Sequence, residues 1–598
     1  MNTTAPAAQI LRRNILAVAT LALLCIICLR FFQYQILKHE RYATYAENNS
    51  IQVLEIPAPR GMILDRFGRY LVTNLPLYSL AVIPAEIQDS TGQLLRLARY
   101  LHMEEESMFT KIEEAARDIY QRYRPIVIYE DISFTQRSYL QEHKLEFPGI
   151  LFVNQNIRHY PSRASATHII GYLRRLSDID QVDFVGKGYN PDDWVGAAGI
   201  ERLYETILRG ESGIEYRRVD RLLRNLGGIP DKPNTMPVSG ENVILNLDID
   251  LQAKGEQIMD GQSGALIAMD PRNGEILAYV SSPDYPLALF TGSITPEMWE
   301  RWLNDPEKVM VNRGVNGRYP PGSTLKLVMA AAALIDPDVD PETTYECTGF
   351  YQYGDQMKRC NDLNGHGVLN LEDAIRVSCN IYFYNLIQEV TFTKWSEMAR
   401  LFGFGKITGI DLPSEDVGIV PDRAYMNDKY GLTGWAGGHV LNMGLGQGDV
   451  LVTPLQITRM TAAIANHGTL VTPKLVRSPA QARQSDETLP FPDEVWEFLE
   501  NAMYKAVNAS GGTGFRARIA NTAVYGKTGT AETTPGNPTH SWFTGYVVTN
   551  NGLPLAVTIL FEEAGLGSRV AAPLAGEFFQ FFVEKYSTLQ AANLVQIP

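Results

Sequence analysis

Three short groups of residues have the types and spacing to carry out acyl transfer on a serine. Ser323 and Lys326 stand three apart in Pro320-Pro321-Gly322-Ser323-Thr324-Leu325-Lys326, where proline and glycine stop the chain and start a helix. The helix predicted over Leu325 to Ile335 is apolar and alanine-rich on every side, so it is expected to be buried. At its N-terminus a serine hydroxyl meets the positive end of the helix dipole. A lysine at i+3 lies on the same face, with its amine in reach of that hydroxyl. A serine and a lysine at this spacing recur by chance, and a helix cap beside a solvated lysine is the ordinary reading. Burial reverses it, because a lysine entering an all-apolar helix is costly unless it is used or paired. Two further groups come after it in order. Ser378-Cys379-Asn380 begins an aromatic helix (Ile381-Tyr382-Phe383), and Lys527-Thr528-Gly529-Thr530 lies at the edge of a strand starting near Ala523.

The chemistry assigns each residue a role. Ser323 attacks a carbonyl and holds the acyl group as an ester. Lys326 accepts the serine proton only when neutral, which requires a pKa lowered by burial and by the second cation, Lys527. Ser378 can relay a proton to a leaving amine, and Asn380 can hold a substrate amide. Lys527, with the strand Thr528, Gly529 and Thr530, suits an anionic carboxylate. The backbone N–H groups of Ser323 and Thr530 are the candidates for an oxyanion hole. No histidine accompanies these motifs, so a Ser-His-Asp arrangement has no support.

The elements that must position them belong to a compact α/β unit. Gly264 to Met269 reads as a strand, Asp270 to Gly274 as a turn and Glu275 to Val280 as the return strand. Trp542 to Val548 and Leu553 to Phe561 form a second hairpin around Asn550-Asn551-Gly552, with mostly helical segments between the hairpins. Strands at both ends predict one sheet built from both. Upstream, residues 50–240 mix short apolar runs with turns, and Met103 to Tyr123 reads as a charged helix. The breaker-rich stretch Asn225 to Gly240 is taken as a domain boundary.

At 598 residues the chain is too long for one core. With 45% hydrophobic and 20% charged residues it is folded along most of its length. A net charge of -14 without a Lys/Arg stripe argues against a nucleic-acid partner. Ile15 to Leu29 is apolar or small apart from Thr20, and with Phe31, Phe32, Ile36 and Leu37 it reaches the roughly 20 residues that cross a bilayer. Arg12 and Arg13 precede it, which keeps the N-terminus cytoplasmic and exports the residues from about 38 onward. Arg30 can snorkel to the outer headgroups. A cleaved signal peptide is the alternative, but no small-x-small site comes after the run. Gln35 to Asn49 then reads as a polar helix leading away from the membrane.

Ser-x-x-Lys, Ser-x-Asn and Lys-Thr-Gly in this order form a signature of penicillin-binding proteins and serine β-lactamases. The chain closely resembles the class B penicillin-binding proteins over nearly its whole length. Arg60-Gly61-Met62-Ile63-Leu64-Asp65-Arg66 and Gly199-Ile200-Glu201, with Tyr204, Glu205, Leu208 and Gly210, resemble their non-catalytic pedestal. Asp270-Pro271, Gly274-Glu275, Tyr319 to Ser323, Gly446-Gln447-Gly448 and Thr453-Pro454 resemble their transpeptidase domain. The resemblance implies an α/β (α+β) architecture: a cytoplasmic tail (1–13), a transmembrane helix (14–37), a mixed pedestal (38–240), a transpeptidase domain (241–585) with an antiparallel sheet flanked by helices, and a tail (586–598). It implies D,D-transpeptidation of peptidoglycan stem peptides through a Ser323 acyl-enzyme, carboxypeptidation as a side activity, and acylation of the same serine by β-lactams. The implied location is the bacterial inner membrane with the catalytic domain outside. The implied partners are a SEDS-family glycosyltransferase, met through anchor and pedestal, and other elongation-complex proteins. A division-specific transpeptidase, a β-lactamase or β-lactam sensor, and a non-enzymatic scaffold are the competing readings.

Of five cysteines, Cys25 and Cys28 fall in the anchor, leaving an odd three outside. Cys347, Cys360, His366 and Cys379 offer three thiolates and one imidazole, a set that suits structural zinc. The elongation branch of the resembled family carries a zinc site near this place; His366 and Cys379 match its pattern, and that branch can have Asp at the other two positions. A Cys347–Cys360 disulfide with Cys379 free is the alternative. On a helix, Cys379 would point away from Ser378 and Asn380, so a metal would brace the motif from behind.

Overall fold

Gly264–Met269 is apolar at every position, as a strand flanked by neighbours and covered on both faces must be. The computed structural model describes residues 5–41, 50–87, 90–117, 122, 125–176, 188–189, 193–220, 225–230, 232–291, 294, 296–477, 485–534 and 536–587. In it this segment, β1 (Gly264–Met269), pairs antiparallel with β2 (Ile276–Ser282) on one side. Three late strands complete the sheet: β3 (Val524–Ala531), β4 (His540–Val548) and β5 (Pro554–Phe561). The order is β2-β1-β5-β4-β3, antiparallel throughout, with Ala265 opposite Leu560 where early and late chain meet. One sheet thus takes strands from both ends, as the two hairpin patterns require.

Helix α1 (Ile249–Met259) precedes the sheet. Between β2 and β3 come α2 (Lys326–Ile335), α3 (Leu371–Arg376), α4 (Asn380–Val390), α5 (Gly437–Gly444), α6 (Pro454–Ala465) and α7 (Asp493–Asn508), and α8 (Ala571–Ser587) comes after β5. Side chains alternate across a strand, and β1 divides accordingly. Leu266 and Ala268 join Leu251, Ile258, Phe578 and Phe582 of α1 and α8. Ile267 and Met269 join the larger core that contains Leu327, Phe383 and Ile457 of α2, α4 and α6.

The chain divides into two compact units. The second comprises Arg60–Leu75, Arg158–Arg209 and Gly240–Pro598, so stretches resembling the pedestal fold with the sheet just described. Within it Arg60 pairs with Glu201 at 2.9 Å and with Glu205 at 2.7 Å, and Arg158 reaches Glu201 at 2.8 Å. Glu201 is fully buried, and removing one partner of such a set strands a charge without solvent. Asp65 organises its own turn, accepting from Phe67 N–H and Arg69 N–H at 2.9 and 2.8 Å. Arg69 and Lys585 both bind Asp248, tying the Arg60–Arg66 motif to α1 and to the end of α8.

The first unit comprises Met1–Pro59, Pro76–Ile157 and Gly210–Ser239. Ile51–Ile56 pairs with Gly213–Val219, which pairs in turn with Asn225–Gly228. Gly227 and Gly228 are therefore strand residues. The charged helix expected over 103–123 runs from Glu105 to Arg117, and residues 118–121 and 123 lie outside the described residues. An unanticipated helix, Ser90–Leu101, buries Leu94, Leu97, Ala98 and Leu101, a helical spacing plain in the sequence. Near the N-terminus a helix Ala5–Phe32 continues into a π-helical turn, Gln33–Leu37. Among the described residues, Ile10–Leu37 is the helix long and apolar enough to cross a membrane. The polar helix expected from Gln35 to Asn49 starts inside that turn, and residues 42–49 lie outside the described residues.

Candidate active site

Ser323 does not sit in the first turn of an α-helix, as its sequence context predicts. It lies in a 3-10 turn, Gly322–Leu325, and α2 starts only at Lys326. The Thr324 hydroxyl donates to Pro321 O at 2.8 Å, a local bond that competes with the helical ladder and favours the tighter turn. Gly322 has φ +57°, and a Cβ there would fall 2.6 Å from Thr530 O. Only glycine fits both conditions. Gly446 does the same from the opposite side: its carbonyl accepts from Gly322 N–H at 2.8 Å, and its own Cβ would lie 2.2 Å from Gly322 O. The result is a half-buried Ser323 on a turn clamped between β3 and the segment after α5.

Behind it lie two amines with no solvent exposure, Lys326 and Lys527. Lys326 Nζ donates to Ser378 O at 2.9 Å, Asn380 Oδ1 at 2.9 Å and Ser378 Oγ at 3.4 Å. Among the described hydrogen bonds these, rather than one to Ser323, are its partners. The i+3 spacing puts Lys326 on the right face, but the 3-10 turn rotates Ser323 relative to the helix. Lys527 Nζ donates to Ser378 Oγ at 2.9 Å and Thr528 O at 3.0 Å. Both amines therefore meet on one hydroxyl. Ser378 is presented to them by a left-handed backbone, φ +58°, rare for a residue with a side chain. Burial pushes Lys326 down to about 8, with the neighbouring Cys379 and Cys360 sulfurs pulling the other way. Burial, then the neighbouring Lys326 charge, hold Lys527 well below the usual lysine range.

The strand carrying Lys527 is an edge strand of the sheet, with Lys527 opposite Thr544 and Thr530 opposite Ser541. Gly529 lies against Thr324 and Trp542, whose indole N–H donates to Pro320 O at 3.1 Å. Thr530 is held from two directions: Gly567 N–H donates to its hydroxyl at 3.2 Å, and Gln447 Nε2 to its carbonyl at 3.0 Å. Gln447 also accepts from Glu532 N–H at 3.1 Å. The Thr528 hydroxyl donates to Thr513 Oγ1 at 2.8 Å. Sequence reasoning noted Gln447 only within a family motif and passed over Thr513; the Gly511-Gly512 pair before it was the available signal of a tight turn.

Cys347, Cys360, His366 and Cys379 come together beside Asn380, all four donor atoms within 4.8 Å of one another. Cys347 ends a short strand paired with Gly367–Leu369, which brings His366 alongside. The Cys360 and Cys379 sulfurs are 3.8 Å apart, and His366 Nδ1 lies 3.4 Å from Cys347 Sγ and 3.5 Å from Cys360 Sγ. Tetrahedral zinc with Zn–S of about 2.3 Å sets sulfurs roughly 3.8 Å apart and sulfur and nitrogen roughly 3.5 Å apart, so these three separations match such an ion. Asn380 N–H points at Cys360 Sγ (3.4 Å) and Tyr382 N–H at Cys379 Sγ (3.5 Å), contacts that favour thiolates. Within the pair, hydrogen bonding pushes the Cys360 thiol down and the Cys379 thiol up. All three cysteines are free thiols, including Cys347 and Cys360 of the disulfide alternative. Cys379 is not in the helix but caps it. Its sulfur joins that of Cys360 at 3.8 Å, directly after the left-handed backbone at Ser378.

The family model for the penicillin binding protein transpeptidase domain matches residues 264–580, and that for the penicillin-binding protein dimerisation domain matches residues 55–245. The chain is 31% identical to the peptidoglycan D,D-transpeptidase MrdA of Haemophilus influenzae, over 96% of this chain and 93% of that one. It is 29% identical to MrdA of Escherichia coli, over 95% and 93%. Among solved structures it resembles PBP2 of Helicobacter pylori in complex with MreC, with TM-score 0.77 and 27% identity over 89% of this chain and 99% of that one. It also resembles a chain from a peptidoglycan synthase complex that coordinates polymerization and crosslinking, with TM-score 0.73 and 30% identity over 97% and 100%.

Proposed function

The chain belongs to the penicillin-binding protein transpeptidase family, and on that premise we propose that it is the D,D-transpeptidase of cell elongation, acting through an acyl-enzyme on Ser323. The observation that carries the assignment of residues is the meeting of two buried amines, Lys326 and Lys527, on the Ser378 hydroxyl.

In the first step Ser323 Oγ bonds to the carbonyl carbon between the two D-Ala residues of a donor stem peptide, and its proton goes to neutral Lys326. The tetrahedral oxyanion is stabilised by the backbone N–H groups of Ser323 and Thr530. The proton passes from Lys326 through Ser378 to the nitrogen of the terminal D-Ala, the C–N bond breaks, and D-Ala leaves. In the second step an amine of a neighbouring stem attacks the ester, gives up a proton by the reverse path, and Ser323 is restored. Water in place of the amine would give carboxypeptidation. Asn380 is held by Lys326 at its oxygen, so its NH2 group is the end that meets a substrate carbonyl. Thr528, Thr530 and Lys527 receive the terminal carboxylate, whose arrival restores the positive charge that burial denies Lys527. Cys347, Cys360, His366 and Cys379 would hold a zinc ion whose role is to fix the loop behind Ser378 and Asn380; no step passes through it.

The helix Ile10–Leu37 serves as a single-pass anchor in the inner membrane, with Arg12 and Arg13 on the cytoplasmic side and the catalytic unit outside. Partners in the elongation complex are proposed from the complexes in which related chains occur, one with MreC and one a peptidoglycan synthase complex, and a SEDS-family glycosyltransferase is proposed from the family resemblance.

Two measurements test this reading. Intact mass after exposure to a labelled penicillin is expected to show one adduct, mapped to the peptide containing Ser323; an adduct elsewhere, or none at high drug concentration, sinks it. The acylation rate should also track the charge of Lys326. Below about pH 8 the amine is protonated and cannot take the Ser323 proton, so the rate falls with decreasing pH and levels off above that value. A flat profile from pH 6 to 10 would remove Lys326 as the base.

A further inference from the structure

We propose that Thr513 is a positioning residue for the substrate carboxylate, acting through Thr528; this rests on the reading above, in which Thr528 lines the carboxylate site. The Thr528 hydroxyl is committed, donating to Thr513 Oγ1 at 2.8 Å. A carboxylate only accepts hydrogen bonds. To bind one, Thr528 must turn its proton away from Thr513. The Thr513 hydroxyl carries a proton of its own and can then donate back to Thr528 Oγ1. The pair reverses direction, giving a chain from Thr513 to Thr528 to the anion in which each bond strengthens the next. No polar atom is stranded in either state.

Thr513 is well placed to do this. Its own N–H donates to Arg376 O at 3.2 Å, and Gly514 N–H to Ala506 O at 2.9 Å. The Arg376 guanidinium reaches back to Ser510 O and is steadied by Asp373 at 2.8 Å. The loop after α7 is therefore fixed to the end of α3, two residues before Ser378. Thr513 is half-buried and Thr528 buried, so the hydroxyl pair stands at the margin of the site. The spacing between the Ser378 motif and the Lys527 strand passes through this loop.

The test uses the full chain in detergent and separates the dissociation constant of the pre-covalent complex from the acylation step, with a penicillin and with its methyl ester. Thr513→Val is expected to weaken penicillin binding about fivefold to tenfold, the value of one hydrogen bond between uncharged groups, here the bond from Thr513 to the Thr528 hydroxyl. The acylation step should move less than about threefold, because Thr513 does not touch the reacting atoms. The preference for acid over ester should shrink by the same factor as binding, and Thr513→Ser should restore it. Unchanged binding in Thr513→Val, an equal loss for acid and ester, or a serine variant as poor as the valine one would each overturn the proposal. Should Thr513→Val not fold, Thr513→Ala takes its place; failure of both to fold while Thr513→Ser folds marks a purely structural anchor and also overturns it. Thr528→Val separates the two readings. If it too leaves acid binding unchanged, the carboxylate assignment itself falls. If it weakens binding and Thr513→Val does not, only the role of Thr513 falls.

Discussion

Ser323→Ala is expected to remain folded and take no covalent penicillin adduct, while Lys326→Met keeps the serine but acylates about a thousandfold more slowly. The first expectation comes from the turn that carries Ser323, which is held by Gly322, Thr324 and Pro320 rather than by the serine side chain. Cys379, the thiol inside the second motif, has no solvent exposure and cannot stand in as nucleophile. The second comes from the surroundings of the amine. Methionine matches the length of lysine and suits the apolar core around α2, so the change removes a proton acceptor more than a packing element. Ser378 O and Asn380 Oδ1 lose a donor, which is expected to lower stability by about 1–3 kcal/mol. Ser378 Oγ keeps Lys527. Intact mass, time courses of acylation and thermal melting measure all three. An adduct on Ser323→Ala, or near-normal acylation in Lys326→Met, would dismantle the mechanism.

The second large effect concerns the Cys347, Cys360, His366, Cys379 cluster. Protein purified without added metal is expected to contain about one zinc per chain, lost in Cys379→Ser, because a structural site needs all four ligands. An ion present at a thousandfold its Kd stabilises the folded state by about 4 kcal/mol. Its loss should lower Tm by about 5 °C in a unit of this size. Acylation should fall as well, through geometry alone. Cys379 caps α4, Cys360 Sγ faces Asn380 N–H, and Asn380 Nδ2 approaches Arg359 O at 3.4 Å, so loosening these sulfurs frees the Ser378–Asn380 segment. Metal-free protein with full stability, or a Cys347–Cys360 disulfide found by mass mapping, would refute the zinc assignment.

Much of this site can be read along the chain because the relevant spacings are covalent. Lys326 comes three positions after Ser323, and Asn380 two positions after Ser378, whatever the rest of the fold does. The hairpin patterns, the apolar α2 and the membrane-length helix are likewise short-range signals, since a strand repeats every two residues and a helix every 3.6. Where the prediction slipped, a local competitor or a distant partner was responsible. Thr324 and Gly322 turned the expected first helical turn into a 3-10 turn, and Ser378 left the helical path altogether. The compact unit around the sheet also takes in Arg60–Leu75 and Arg158–Arg209, because Arg60, Arg158, Glu201 and Glu205 can be buried only together.

By itself, then, the sequence determined which atoms could do the chemistry: a serine, two lysines, a second serine, an asparagine and four metal donors, in a recognisable order. Tertiary structure decided how they meet. Lys527 lies 149 residues from Ser378 and Cys360 lies 19 from Cys379, yet each pair shares a contact. Thr513 entered the site only because a loop after α7 docks beside β3. Such contacts are set by the packing of whole elements against one sheet, and no local periodicity carries them.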